Sequence, residues 1–68
     1  MNTPEIPAKT KLKEIERELD MRLRLYPVWV LQGKMTQQKA DKQIAVMQAI
    51  KKDYEEKAKE EDKQMSFL

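Results

Sequence analysis

Apolar residues recur at spacings of three or four along two stretches of the chain, residues 12–30 and residues 40–58, the second beginning with Ala40 and ending with Ala58. At 100° per residue, such spacings place the side chains on one side of an α-helix, so the pattern predicts two amphipathic helices. We expect the helices to pack against each other along these stripes. The predicted core consists of Leu12, Ile15, Leu19, Leu23, Tyr26 and Val30 from the first helix and Ile44, Met47, Ile50 and Tyr54 from the second.

The residues between the two stripes carry the signals of a tight turn. Gly33 can adopt the left-handed backbone conformation that ends many helices. Thr36 can accept a hydrogen bond from an early N–H group of the following helix. These signals predict helices over about residues 9–32 and 36–62, joined by a turn at residues 33–35. Because the connection is short, we expect an all-α, antiparallel helical hairpin with a shallow, coiled-coil-like crossing.

Pro27 lies inside the first predicted helix. It has no N–H group to donate to the carbonyl of Leu23, and its ring disfavours helical geometry at Tyr26. We therefore expect the first helix to be either kinked or broken at this position.

The two ends of the chain differ in character from the helices. Residues 1–8 contain Pro4 and Pro7, which favour an extended N-terminal arm, and residues 64–68 are expected to form a flexible tail. The sequence has neither an apolar leader-like segment nor about 18 consecutive apolar residues. We accordingly expect a cytoplasmic protein with no membrane partner.

A second group of apolar residues occupies the other side of the first helix. Met21, Leu25 and Val28 lie at i, i+4 and i+7, with Trp29 on their flank. One partner helix cannot cover both sides, so the group predicts a surface for self-association or for another protein. In the alternative, a break at Pro27 turns residues 28–31 back towards the second helix and leaves Met21 and Leu25 as isolated exposed residues.

Composition strengthens the expectation of self-association. A chain of 68 residues makes at most one domain, and folding at this size buries only about 60% of the surface of the unfolded chain. With no Cys and no His, disulfides and the commonest metal ligand are missing. We expect a homo-oligomer to supply the missing core, and two hairpins naturally pair into a four-helix bundle.

The charges are mixed, with 14 basic and 12 acidic residues and a net charge of +2. This balance lacks the one-sided field of an obligate nucleic-acid binder. Asp20 lies near Arg17 and Arg24, and Glu18 precedes Arg22 by four, which favours a solvated face with local ion pairs. A small nucleic-acid or nucleotide binder is the alternative function, and its possible phosphate-contacting residues are Lys9, Lys11, Lys13, Arg17 and Arg24.

Catalytic chemistry is not indicated. Adjacent carboxylates such as Glu55 and Glu56 diverge on a helix, and the hydroxyl residues have no His to activate them. No Gly-rich phosphate loop is present in a chain with a single glycine. We therefore expect no enzyme activity, no metal and no cofactor.

Three segments of the chain carry a resemblance to small uncharacterised helical proteins encoded by bacteriophages and prophages. These segments are ELDMRLRLYPVWV at residues 18–30, GKMT at residues 33–36 and A-x3-I-x2-M-x2-I-x2-DY at residues 40–54. The resemblance implies a phage context, with the host cytoplasm as location, but no assigned activity. It is consistent with an accessory or host-takeover factor that binds a protein partner as a homo-oligomer.

Overall fold

The computed structural model describes residues 5–65, with side chains described for residues 5–63, and contains two antiparallel α-helices. Helix α1 spans Ala8–Leu31 and helix α2 spans Gln37–Met65. Near the turn, Tyr26 contacts Gln43, whereas at the far end Ala8 contacts Glu61, as antiparallel packing requires. The predicted all-α helical hairpin is confirmed.

Helix α2 is longer than predicted. It extends to Met65, so residues 64 and 65, which were assigned to the tail, are helical. The segment from residue 57 onward is rich in Lys, Glu, Gln and Ala, all good helix formers, and Lys63 in the last turn suits the negative end of the helix dipole. Residues 5–7 of the predicted arm are not helical, whereas its last residue, Ala8, is the first residue of α1. The rest of the arm, residues 1–4, and the rest of the tail, residues 66–68, lie outside the described residues.

The turn is closed by backbone hydrogen bonds around Gly33. The N–H of Lys34 donates to the carbonyl of Trp29 at 2.9 Å, and the N–H of Gly33 donates to the carbonyl of Val30 at 3.1 Å. This Schellman pattern requires a left-handed residue, and Gly33 has φ +74°. Thr36 Oγ1 accepts the N–H of Lys39 at 3.1 Å and caps α2. The predicted roles of Gly33 and Thr36 are both confirmed.

The open end is closed by side chains from α2. The first turn of α1 contains no acidic residue, and its N-cap residue Pro7 makes no side-chain hydrogen bond. Instead, the N–H of Ala8 donates to both carboxylate oxygens of Glu61, at 2.5 and 3.0 Å. A negative charge at this position also favours the positive end of the α1 dipole.

Helix α1 is continuous through Pro27, so the alternative of a break there is wrong. Pro27 is exposed, and its missing N–H removes only the bond to the carbonyl of Leu23. Tyr26 is buried and Val30 is half-buried on the side that faces α2. Packing against α2 before and after Pro27 thus holds α1 together as one helix.

The core is thin and lies along the contact between the helices. Leu19, Tyr26, Ala40 and Ala58 are the buried residues among those described. Seven residues of the predicted core are half-buried, namely Leu12, Ile15, Val30, Ile44, Met47, Ile50 and Tyr54. Leu23 is the exception.

The prediction that Leu23 belongs to the core is wrong, because its side chain remains 49% exposed. Ile15, Leu19 and Tyr26 define the centre of the packing stripe, and at 100° per residue Leu23 lies roughly 60° away from it. Arg22 lies at the stripe's other margin and is half-buried.

Candidate interaction surfaces

The outer apolar face of α1, formed by Met21, Leu25 and Val28, is open to solvent. These side chains are 36%, 38% and 44% exposed, and they lie on the side of α1 opposite its packing stripe. Because α1 is continuous, Val28 stays on this face and is not turned back towards α2. The structure therefore excludes the alternative in which Met21 and Leu25 are isolated.

Leu31 is an exposed apolar residue that the sequence analysis missed. Its side chain is 89% exposed at the C-terminal end of α1. It falls on neither apolar stripe, so periodicity gave no signal for it. The C-terminal part of α1 therefore exposes apolar side chains both on the outer apolar face and at Leu31.

Trp29 lies at the margin between the outer apolar face and the core. Its side chain is half-buried, and its ring centroid is 5.5 Å from that of Tyr26, with 32° between the planes. Tyr26 is buried, and its hydroxyl donates to Gln43 Oε1 at 2.8 Å. Trp29 thus packs against the ring of Tyr26, which is held in place by burial and by its hydrogen bond. Its fluorescence should therefore respond to unfolding of the hairpin and to burial of the neighbouring outer apolar face.

The five predicted phosphate-contacting residues do not form one free basic surface. Lys9 pairs with Asp62 at 3.4 Å, Arg24 pairs with Asp20 at 3.0 Å, and Arg17 pairs with Glu14. The ammonium group of Lys11 lies 5.8 Å from the ring centroid of Tyr54, on another side of α1. A phosphate would have to displace carboxylates from three of the five residues, Lys9, Arg17 and Arg24. The other two are Lys11 and Lys13.

The pairing of Arg17 departs from the sequence analysis, which placed it near Asp20. Its guanidinium donates to Glu14, three residues earlier, and this hydrogen bond and the opposite charge lower the pKa of Glu14. The same hydrogen bond and charge raise the pKa of Arg17. Both groups are exposed to water, so the pair is a local feature of the surface.

A groove between the helices is the second surface near the turn. It has a volume of about 320 Å³. We call it the cationic groove; its lining residues are Arg22, Lys39, Lys42, Gln43 and Val46. Sequence patterns do not predict the groove, because its walls come from residues far apart in the chain, and the spacing of Arg22 from Glu18 indicates only an ion pair.

Within the described part of the chain, no three acidic side chains are grouped so that they could hold a metal ion. Neither helix, as far as it is described, has an apolar stretch long enough to cross a membrane.

Comparisons of the chain with protein-family models, with curated proteins and with solved structures give no match. An assignment of function therefore depends on the surfaces described above.

Proposed function

We propose that this protein is a non-enzymatic interaction protein that self-associates through the outer apolar face of α1. The observation that carries the proposal is the exposure of Met21, Leu25 and Val28 together on one continuous helix. Apolar groups in contact along a helix favour association with another apolar surface. Within the monomer, α2 occupies the opposite side of α1 and cannot cover this face.

The size of the face sets the expected strength of association. Complete burial of such a side chain contributes about 1.5–3 kcal/mol, so covering its exposed part contributes on the order of 1 kcal/mol. The three side chains of each copy together make a modest contribution, and association itself costs free energy because the two copies lose translational and rotational freedom. We therefore expect a dimer that dissociates on dilution.

A symmetric arrangement follows from the spacing of the three residues. Leu25 lies four residues after Met21 and three before Val28. If two α1 helices pack antiparallel about a twofold axis near Leu25, Met21 of one copy lies beside Val28 of the other. The two hairpins then form an assembly of four helices, with the two α1 helices in the middle and the α2 helices on the outside.

The test compares two leucines of the same helix, Leu25 on the outer apolar face and Leu23 outside it. Both are exposed in the monomer, so neither substitution to Lys disrupts the buried core. Light scattering over a concentration series measures the mass, and circular dichroism verifies that each variant is helical. We expect wild type and Leu23→Lys to dimerise and Leu25→Lys to remain monomeric. A wild-type chain that is monomeric at every concentration, or equal dimerisation of all three proteins, would refute the proposal.

The resemblance to small phage-encoded proteins extends the proposal to a biological role. We infer an accessory or host-takeover factor in the host cytoplasm that acts by binding a protein partner. Binding of a host protein by wild type but not by Leu25→Lys would place that partner on the outer apolar face. The alternative of a nucleic-acid or nucleotide binder has less support, since Lys9, Arg17 and Arg24 are engaged with carboxylates.

A further inference from the structure

The cationic groove combines three cationic side chains with one apolar wall. Lys39, Lys42 and Val46 lie at i, i+3 and i+7 on α2, and Arg22 faces them from α1. Lys39 and Lys42 are exposed, and no residue of the described part of the chain forms an ion pair with either. Val46 is 50% exposed. Lys39 and Lys42 thus differ from Lys9, Arg17 and Arg24 of α1, which are paired with carboxylates. Arg22 is also paired, with Glu18, but through one nitrogen.

A polar network that spans both helices holds the groove in shape. Arg22 Nε donates to Glu18 at 3.2 Å, and its guanidinium lies 6.0 Å from the ring centroid of Tyr26. The hydroxyl of Tyr26 in turn donates to Gln43. Because Tyr26 is buried, Arg22 and Gln43 are positioned before any ligand arrives.

The free polar groups of the groove are hydrogen-bond donors. Gln43 Oε1 is occupied by Tyr26, which leaves the amide Nε2 as its remaining group. Arg22 uses only Nε towards Glu18, which leaves its two terminal nitrogens. The ammonium groups of Lys39 and Lys42 add further donors. A matching ligand therefore carries several acceptors and negative charge beside an apolar group.

We propose that the cationic groove binds an acidic peptide segment of a partner protein, with carboxylates on Arg22, Lys39 and Lys42 and an apolar side chain on Val46. Carboxylates match both the charge and the donors of the groove. The proposal does not depend on self-association, because Leu25 and the outer apolar face do not line the groove.

A peptide fits these observations better than a nucleic acid does. Nucleic-acid binding needs cations that continue along the backbone of the ligand, usually with an aromatic surface on which bases stack. Here the cations outside the groove on α1 are largely paired, and Tyr26, the ring beneath Arg22, is buried. The single apolar wall at Val46 suits one aliphatic side chain.

The test uses fluorescence anisotropy with a labelled Gly-Glu-Leu-Glu-Glu-Gly peptide at low salt. A second peptide with Gln in place of each Glu and a labelled oligothymidylate are the comparison ligands. The groove variant is Lys39→Gln/Lys42→Gln, and the matched control is Lys52→Gln/Lys59→Gln, which removes the same charge from exposed positions outside the groove. Circular dichroism verifies that both variants are folded.

We expect the acidic peptide to bind wild type and the control variant with similar affinity, and the groove variant to bind it about tenfold more weakly or worse. The Gln peptide should bind wild type much more weakly than the acidic peptide.

The proposal is overturned if the acidic peptide does not bind wild type, or if both variants lose affinity equally. Tighter binding of the oligothymidylate, lost in the groove variant, would assign the groove to phosphates instead. The mass of the groove variant should remain that of wild type, which separates this result from the test of self-association.

Discussion

At the turn end of the hairpin, Tyr26 is buried and donates to Gln43, whereas at the open end the helices meet through the carboxylate of Glu61. The turn end also has backbone hydrogen bonds around Gly33, which are local and insensitive to charge. Across the open end Lys9 also pairs with Asp62, and both of these side chains are largely exposed. Exposed pairs of this kind stabilise a protein by at most about 1 kcal/mol.

The difference shows where the molecule has a fixed shape. Both the outer apolar face and the cationic groove lie towards the turn, where packing and backbone hydrogen bonds hold the helices together. Ala58 is buried towards the open end, but the helix cap and the ion pair at that end involve charged groups. Salt therefore weakens the open end more than it weakens the turn end. Three substitutions, ordered by expected effect, test this contrast.

The largest effect is expected for Tyr26→Ala. Removing a buried aromatic side chain costs about 3–5 kcal/mol, and here the hydrogen bond to Gln43 and the contact with Trp29 are lost as well. A hairpin of this size has little stability to spare, so the variant should be largely unfolded by circular dichroism. Tyr54→Ala is the matched control, since Tyr54 is only half-buried and lies nearer the open end. Equal losses from the two substitutions would contradict the contrast between the ends.

A smaller effect is expected for Gly33→Ala. The left-handed conformation costs a residue with a Cβ roughly 1–2 kcal/mol. An added Cβ at Gly33 would meet no atom within 4 Å, so the loss comes from the backbone alone. Thermal unfolding should show a lower midpoint for this variant. Gln32→Ala is the control, because Gln32 has φ −81° and tolerates alanine; similar midpoints for the two variants would argue against a strained position at the turn.

The smallest effect is expected for Glu61→Gln, which weakens the cap on Ala8. We expect a loss of about 0.5–1 kcal/mol and faster amide hydrogen exchange in the first turn of α1. Exchange near Gly33 should not change. Glu60→Gln removes the same charge from an exposed position and is the control. If both variants leave exchange at the open end unchanged, the cap does not stabilise that end.

The parts of the fold that depend on neighbouring residues could be predicted from the sequence. Gly33 and Thr36 act within one turn of their own positions, and the two apolar stripes follow from helical periodicity. The outer apolar face was also predictable, because Met21, Leu25 and Val28 belong to one helix. What remained open, the continuity of α1 through Pro27, depended on packing against α2.

The features that the sequence did not predict involve both helices at once. Leu23 was placed in the core because its spacing fits the stripe, but the position of α2 leaves it exposed. The cationic groove forms only when Arg22 meets Lys39 and its neighbours across the hairpin. The cap on Ala8 comes from Glu61, 53 residues away. The spacing of residues along one helix does not predict which residues of the two helices meet.

The antiparallel register also has a consequence for the order in which the hairpin folds. Tyr26 and Gln43 are 17 residues apart along the chain, whereas Ala8 and Glu61 are 53 apart. Closing the longer loop from the unfolded chain costs about 1 kcal/mol more in entropy. Contacts near the turn are therefore favoured as the starting point, and each one shortens the loop that the next contact has to close. The end that carries the outer apolar face and the cationic groove is thus expected to assemble before the end that does not.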